Sequence, residues 1–354
     1  MPKIPDSVPW KATGRTVGSG GQSQVQEVTP TERSSFPPGQ YAMKILGSVG
    51  SSQANERFRR EIAAIQQIKD RRIVRVVDFG KEQDNFNYYV MPLYGEEYRC
   101  LDALFQEPQS PFLRNPKACL EFIASCADAL HKVHEAKIIH RDLKPANILA
   151  NIKTLEPIIL DFGCCQMEGD ETITLTDEGV GTPNYMAPEC EHGPIARPTH
   201  QSDVYSLGKI LWSMVTGLKA FAREKPAFTS RNLATMFPRE PDIWHVTRIF
   251  EHTIRRDPEQ RYRNAAKLAE DALWVAHALL GRYPPLELVD RQCPVCGQAV
   301  MVHSSDEYKV GLHMVFGNPM PQGTIALQCT VCGHLAAWDT RPIRDRQNKL
   351  ENME

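Results

Sequence analysis

The sequence predicts an α+β protein, with a small β-rich lobe, a larger α-helical lobe and then a small β module. Polar and apolar residues alternate around glycines over residues 11–46, which is typical of antiparallel strands. Beyond residue 110 the apolar residues recur at helical spacing. Two Cys-x-x-Cys-Gly units then stand close to the end of the sequence, and such pairs indicate a metal or redox site.

The composition is that of an ordinary globular protein, with 42 % apolar and 24 % charged residues among 354. Lys and Arg number 41 and Asp and Glu 43, so a formal net charge of −2 predicts no broad basic surface for nucleic acid or anionic membrane. The longest apolar runs, such as 272–280, are about half of a bilayer span. The first ten residues hold three prolines and no apolar signal segment. We therefore expect a soluble, cytoplasmic protein.

The first lobe is predicted to contain strands and one helix. Two strand-like runs within residues 11–46 are separated by Pro-Pro-Gly at 37–39, which is a turn signal. An apolar stripe at helical spacing favours a helix over 52–69. Two further strands are predicted at 73–79 and 86–91, so this lobe is mostly β.

The second lobe is predicted to be helical. Asn115 and Pro116 are a cap and first-position pair that begins a helix, and helical patterns recur at 202–216, 243–255 and 264–280. The predicted organisation is an N-terminal extension at 1–10, the two lobes at 11–281, a linker at 282–291, the cysteine module at 292–340 and a polar tail at 341–354.

Three motifs stand in one order within the second lobe. They are His-Arg-Asp-Leu-Lys-Pro-Ala-Asn at 140–147, Asp-Phe-Gly at 161–163 and Ala-Pro-Glu at 187–189. Their order and spacing resemble those of eukaryotic-like (Hanks-type) serine/threonine protein kinases, over about residues 11–280. The resemblance implies the bilobal protein-kinase fold.

The resemblance also implies the catalytic residues. Phosphoryl transfer needs metal ions on the phosphates and a carboxylate that orients the attacking hydroxyl. Asp142 matches that base, and Asn147 and Asp161 match the Mg²⁺ ligands. Lys144 is the residue type of members that act on Ser and Thr, and Thr182 favours the same substrates. The alternative is a structural turn without catalysis.

The sequence also contains candidate ATP-binding residues. Gly18, Ser19, Gly20 and Gly21 resemble the start of the glycine-rich loop over the ATP phosphates, although Ser23 stands where the family has its third glycine. The segment alone is equally consistent with an ordinary hairpin.

Tyr-Ala-Met-Lys at 41–44 matches the strand whose lysine contacts the α- and β-phosphates, which implies that role for Lys44. Glu61 lies on the core-facing stripe of the predicted helix, where a charge is costly unless it is paired. We therefore predict a Lys44–Glu61 ion pair, the alternative being a solvated helix face.

The resemblance implies an adenine pocket. Met91 matches the residue at the back of that pocket, and Leu93 the hinge residue whose backbone bonds the adenine, since the preceding Pro92 has no amide hydrogen. The remaining matches are Val25, Ala42 and Leu149. Core apolar residues need no ligand, so the alternative is ordinary packing.

Structural and regulatory residues are implied as well. Asp203 matches the residue that braces the catalytic loop from beneath, and Glu189 and Arg261 match a buried ion pair. Arg141 before the base is typical of kinases gated by phosphorylation, which makes Thr174 and Thr176 candidate phosphosites. Threonines are also common in any polar loop.

Cys293, Cys296, Cys329 and Cys332 make up two knuckles that resemble a zinc ribbon. Four thiolates leave no open position, so the Zn²⁺ would be structural; disulfides are the alternative. Residues 282–354 hold seven Lys and Arg against eight Asp and Glu, which favours a protein partner over nucleic acid.

The leading hypothesis is an ATP- and Mg²⁺-dependent kinase that transfers the γ-phosphate to Ser and Thr of protein substrates and autophosphorylates its activation loop. The alternative is a pseudokinase scaffold that binds nucleotide or a partner without phosphoryl transfer. Lys44, Asp142 and Asp161 are all present, which favours the active enzyme. A small-molecule kinase is disfavoured by the Ala-Pro-Glu segment.

Overall fold

The computed structural model describes only part of the chain. The described residues are 3–19, 23–46, 52–80, 86–105, 107–163, 165–167, 184–190, 198–218, 220–221, 233, 237, 243–279, 300–303, 324–329 and 335–339. The predicted residues outside these ranges are Gly20, Gly21, Thr174, Thr176, Thr182, Cys293, Cys296 and Cys332. The chain divides into two compact units, Met1–Phe228 with Ile249–Ala276, and Thr229–Arg248 with His277–Glu354.

The first lobe is an antiparallel five-stranded sheet with one helix, which confirms the predicted antiparallel strands and helix, but residues 11–46 contain three strands where two were predicted. Its elements are β1 (Trp10–Ser19), β2 (Ser23–Pro30), β3 (Tyr41–Leu46), α1 (Ser52–Gln67), β4 (Asp78–Phe79) and β5 (Tyr88–Pro92). The strand order is β1-β2-β3-β5-β4. An apolar cluster that includes Val28, Met43 and Val90 fills one face of the sheet.

The second lobe is mainly helical, and it also contains short strands. Its elements are β6 (Tyr98–Cys100), α2 (Leu101–Leu104), α3 (Pro116–Glu135), β7 (Ile138–Ile139), β8 (Ile148–Asn151), β9 (Pro157–Ile159), β10 (Gln166–Met167), α4 (His200–Thr216), α5 (Trp244–Glu251) and α6 (Ala265–Ala278). The Asn115 side chain accepts the Ala118 amide at 3.1 Å, so the predicted cap of α3 is confirmed. No helix in the described ranges is long and apolar enough to cross a membrane.

A joint made by Arg72 and its neighbours ties the first lobe to the second. Arg72 donates to Asp70 at 2.7 Å and to Asp128 of α3 at 2.6 Å. The Val74 amide donates to the Ile159 carbonyl at 3.0 Å, and the Ile159 amide to the Arg72 carbonyl at 2.7 Å. The predicted strand over 73–79 is therefore shorter, since its first residues bond to β9 of the other lobe.

The second unit contains a three-stranded antiparallel sheet of β11 (Val300–His303), β12 (Thr324–Cys329) and β13 (Leu335–Asp339). Cys329 ends β12. Within the described ranges, no group of three or more His, Cys, Asp or Glu side chains is placed to hold a metal ion. The zinc ribbon stays a prediction, because its other three cysteines lie outside those ranges.

Candidate active site

Lys44 lies at the centre of a buried charge cluster. Strand β3 places it opposite Val25 of β2 and Tyr89 of β5. Its ammonium contacts Glu61 Oε1 of α1 at 2.7 Å and Asp161 Oδ1 at 2.8 Å. Glu61 is 1 % exposed, so the solvated-face alternative is wrong. The structure brings together three residues that are far apart in the sequence.

The cluster keeps opposite charges in contact. Burial alone would lower the pKa of Lys44, but the attraction of the groups around it, including Glu61 and Asp161, raises that pKa well above its ordinary value. Burial raises the pKa of Glu61, and Lys44 offsets part of the rise. Burial would also raise the pKa of Asp161, yet the charge and hydrogen bond of Lys44 lower it to about 2. Lys44 is therefore positive and Asp161 negative at neutral pH.

The catalytic-loop motif holds Asp142 from two sides. Lys144 Nζ donates to Asp142 Oδ2 at 2.7 Å, and Asn147 Nδ2 donates to the same oxygen at 3.1 Å. Asn147 also donates to the Asp142 carbonyl at 2.8 Å, which closes the turn that contains the short 3₁₀ helix Pro145–Asn147. The carboxylate is thus held through one oxygen by two donors.

Asp203 of α4 braces this loop from beneath. It is fully buried and accepts the amides of His140 and Arg141, each at 2.9 Å. His134 of α3 contacts the same carboxylate through Nε2 at 2.8 Å. Arg141 has a φ of 69°, a left-handed conformation that costs a residue other than glycine on the order of 1–3 kcal/mol. The carboxylate therefore stabilises the backbone turn immediately before Asp142.

Contacts with neighbouring groups fix Asp161 and Phe162, the first two residues of the Asp-Phe-Gly segment. Asp161 adopts a φ of 58° and accepts the Gly163 amide at 3.2 Å. Phe162 is fully buried with its ring 4.6 Å from the His140 ring. A Cβ on Gly163 would lie 3.1 Å from Asp161 Oδ1 and 3.5 Å from Glu61 Oε2. This position therefore favours glycine.

Arg261 and Glu189 make the predicted ion pair. Two guanidinium nitrogens donate to the two carboxylate oxygens at 2.6 and 2.8 Å, a bidentate geometry. Burial would raise the pKa of Glu189, but Arg261 lowers it below the ordinary value. The pair therefore ties the short 3₁₀ helix Pro188–Cys190 to the segment before α6.

The family sequence model described as "Protein kinase domain" matches residues 12–275, well over half of the chain. This chain belongs to the protein kinase family. The matched range contains the charge cluster, the catalytic loop and the brace.

Bacterial serine/threonine kinases are among the relatives of this protein kinase chain. The protein named "Probable serine/threonine-protein kinase CE0033" of Corynebacterium efficiens is 30 % identical over 95 % of this chain and 50 % of its own length. PknA of Mycobacterium tuberculosis is 31 % identical over 77 % of this chain and 62 % of its own length. PrkC of Bacillus subtilis is 29 % identical over 73 % of this chain and 39 % of its own length. The chain thus spans between 39 and 62 % of the length of these relatives.

The kinase family implies Mg²⁺, and the donor set fits it. Mg²⁺ prefers oxygen ligands. Asp161 is ionised, and its bonds to Lys44 and Gly163 both use Oδ1. Because the side-chain nitrogen of Asn147 donates to Asp142, the side-chain oxygen of Asn147 is the atom that can bind a cation. These two residues are the candidate ligands.

Four of the five predicted adenine residues lie in strands, and Leu93 directly follows β5. Ala42 pairs with Met91 across β3 and β5, and Leu149 lies on β8. Val25, Met91, Leu93 and Leu149 are only partly buried, unlike the core residues beside them. Of the glycine-rich segment, Gly18 and Ser19 end β1.

Sequence reasoning missed Tyr89. Its hydroxyl donates to Glu61 Oε1 at 2.9 Å, and the residue is 1 % exposed. The available signal was its register: on β5 it stands directly opposite Lys44 and so shares the face of the sheet that carries the cluster.

Proposed function

We propose that this chain is an ATP-dependent protein kinase that phosphorylates Ser and Thr hydroxyls of protein substrates. The observation that carries the proposal is the Lys44 ammonium held between Glu61 and Asp161 at 2.7 and 2.8 Å. A fixed cation beside an ionised carboxylate suits a nucleotide triphosphate and its metal. Cytoplasmic ATP would supply the nucleotide, consistent with the predicted cytoplasmic location.

Asp142 is the base in this proposal. As the substrate hydroxyl oxygen bonds to the γ-phosphorus, the bond from that phosphorus to the bridging oxygen of ADP breaks, and the hydroxyl proton passes to Asp142. Lys144 and Asn147 both donate to Oδ2 of the carboxylate, which leaves Oδ1 to accept the hydroxyl proton. Bound Mg²⁺ would neutralise phosphate charge.

Lys144 has a second role in the proposal. Its ammonium lies 2.7 Å from the base and is itself only partly buried. A cation at this place attracts the transferred phosphoryl group towards the hydroxyl that Asp142 orients. Lysine at this position is the residue type of family members that act on Ser and Thr, so we infer Ser and Thr hydroxyls as the acceptors.

Incubation of the purified chain with Mg²⁺ and ATP, followed by phosphosite mapping by mass spectrometry, tests the proposal. We expect phosphate on Ser or Thr of an added protein such as casein and on the chain itself. ATP binding without any phosphate transfer would contradict an active kinase and support the scaffold alternative.

We propose that phosphorylation of Thr174 or Thr176 raises activity. Arg141 lies beside the base, and a phosphate adds about −1.5 to −2 charges that pair with arginine. The double alanine variant is expected to lose about tenfold in activity on added substrate, the equivalent of one charge-assisted contact. Thr172→Ala, at the third candidate threonine of the segment, is expected to have the smaller effect. Full activity of the double variant would contradict the switch.

We propose that Cys293, Cys296, Cys329 and Cys332 bind one structural Zn²⁺ in a module that recognises a protein partner. A set of four thiolates suits tetrahedral zinc, and β12 ends at one of the four. Cys293→Ser is expected to remove most of the zinc and to expose residues 291–340 to protease, since metal supplies about 10 kcal/mol to such folds. ATP binding should persist.

Metal analysis by mass spectrometry of the intact chain measures that outcome. Cys100→Ser is the matched control, because Cys100 is a free thiol in the kinase domain. Wild-type protein without zinc would contradict the ribbon. Loss of ATP binding in Cys293→Ser would contradict an independent module and make the ribbon part of the kinase fold.

A further inference from the structure

One side chain of strand β5, Tyr89, makes two contacts with helix α1. The Tyr89 ring lies against the Phe58 ring, tilted by 34° with 5.6 Å between centroids, and its hydroxyl donates to Glu61 Oε1 at 2.9 Å. Phe58 and Glu61 are three residues apart and share a face of α1. The sheet thus contacts the helix at two points one turn apart, and one of them is the carboxylate that binds Lys44.

We propose that Tyr89 is a positioning residue that holds Glu61 in place for Lys44 and so fixes the ammonium where the nucleotide phosphates bind. The proposal rests on the proposed function of Lys44 in binding ATP. Tyr89 itself does not touch the nucleotide in this scheme. It acts through Glu61, by fixing the oxygen that Lys44 also contacts.

The geometry explains why one hydroxyl matters. Glu61 Oε1 accepts from both Tyr89 and Lys44, while Lys44 divides its hydrogen bonds between Glu61 and Asp161. A buried carboxylate needs its donors, and losing one leaves desolvation uncompensated. Without the hydroxyl, Glu61 depends on a lysine that a second carboxylate also attracts. We expect the Lys44–Glu61 contact to loosen and the ammonium to move towards Asp161.

The hydroxyl is a permanent donor. Burial raises the pKa of Tyr89 well above its ordinary value, so the proton stays on the oxygen at any working pH. The Lys44 ammonium also lies 5.6 Å from the Tyr89 ring centroid, close enough for a weak cation–π attraction. Tyr89→Phe would keep both ring contacts and remove only the hydroxyl.

The neighbouring Tyr88 provides a matched control. It is also buried and lies on the same strand, but it faces the apolar cluster on the opposite side of the sheet. Its hydroxyl lies 3.5 Å from Asp78, on the face of the sheet opposite the charge cluster. Tyr88→Phe therefore removes the same group from the same strand without touching Glu61.

The test compares two ligands on the full chain by calorimetry. In the proposed function Lys44 contacts the phosphates. Tyr89→Phe is therefore expected to lower the affinity for AMP-PNP, a non-hydrolysable ATP analogue, in the presence of Mg²⁺ by about tenfold, which is the cost of one hydrogen bond to a charged group. Adenosine, which has no phosphates, should bind unchanged. Tyr88→Phe should bind both ligands like wild type. The kcat for an added substrate should fall in Tyr89→Phe, with its KM for that substrate unchanged.

A second arm asks whether Tyr89 acts through Glu61. In a Glu61→Gln background, the further change Tyr89→Phe should have no more than a twofold effect on AMP-PNP affinity. Equal weakening of adenosine and AMP-PNP, an equal effect of Tyr88→Phe, or an undiminished effect in the Glu61→Gln background would overturn the proposal. Wild-type protein that binds AMP-PNP no better than adenosine would instead contradict the proposed function.

Discussion

Asp142→Asn is expected to lower phosphoryl transfer by about 10²–10⁴-fold while nucleotide affinity stays within twofold of wild type. Asparagine has nearly the same shape as aspartate and keeps an oxygen for the Lys144 and Asn147 contacts, which are 2.7 and 3.1 Å long in the wild-type chain. It cannot take up the hydroxyl proton. Radiolabelled ATP with added casein measures transfer, and calorimetry with AMP-PNP measures binding.

Asp102→Asn is the control for that experiment. Asp102 is an exposed carboxylate in the first turn of α2, in the same lobe but outside the catalytic loop. It should keep wild-type activity. Undiminished autophosphorylation by Asp142→Asn would show that another group takes the proton, and equal loss in both variants would point to a general charge effect.

Asp203→Ala is expected to destabilise the chain by about 3–5 kcal/mol, because it leaves two backbone amides and a buried histidine without their shared acceptor. The amides belong to His140 and Arg141, and the histidine is His134. Without the acceptor, the left-handed turn at Arg141 has no compensation for its strain. Chemical denaturation measures the free energy of unfolding.

The same variant should lower activity even where it remains folded. A displacement of about 1 Å at Asp142 costs on the order of 10²-fold in rate. Asp271→Ala is the matched control, since Asp271 is a buried carboxylate of the same lobe that accepts the Tyr262 hydroxyl away from the loop. It should lose stability but keep activity at low temperature. Equal activity loss in both variants would contradict a specific brace.

The contribution of Asp203 should also depend on pH in one direction. Burial alone would raise its pKa, but the hydrogen bond and charge of His134 lower it. The folded-state pKa is thus below the unfolded value of about 4, so the stabilisation is complete above that pH and is lost as the pH falls through the folded pKa. Denaturation of wild type and Asp203→Ala between about pH 3 and 7 should therefore converge at the acid end.

Sequence patterns predicted the parts of the site that follow from local rules. The apolar stripe of α1 put Glu61 on the buried face, and burial of a charge demanded a cation, which is Lys44 in the structure. The cap at Asn115 followed from its side-chain chemistry alone. These inferences needed only the period of a helix and the cost of an unpaired charge.

Other features depend on partners that are distant in sequence. Tyr89 has an ordinary place in an apolar strand, and its role exists only because β5 lies beside β3 with Tyr89 opposite Lys44. The strand predicted over 73–79 was too long because the backbone around Ile73 pairs with β9 in the other lobe. Neither the register of a sheet nor a contact between lobes can be read from periodicity.

The joint at Arg72 limits how the two lobes can open. The chain between β5 and β6 is one attachment, and the contacts of Arg72, Val74 and Ile159 are a second. The ion pair between Lys44 of β3 and Asp161 is a third contact between the lobes, at 2.8 Å. Any opening of the lobes must therefore break this pair, which in the proposed function lies where the nucleotide phosphates bind.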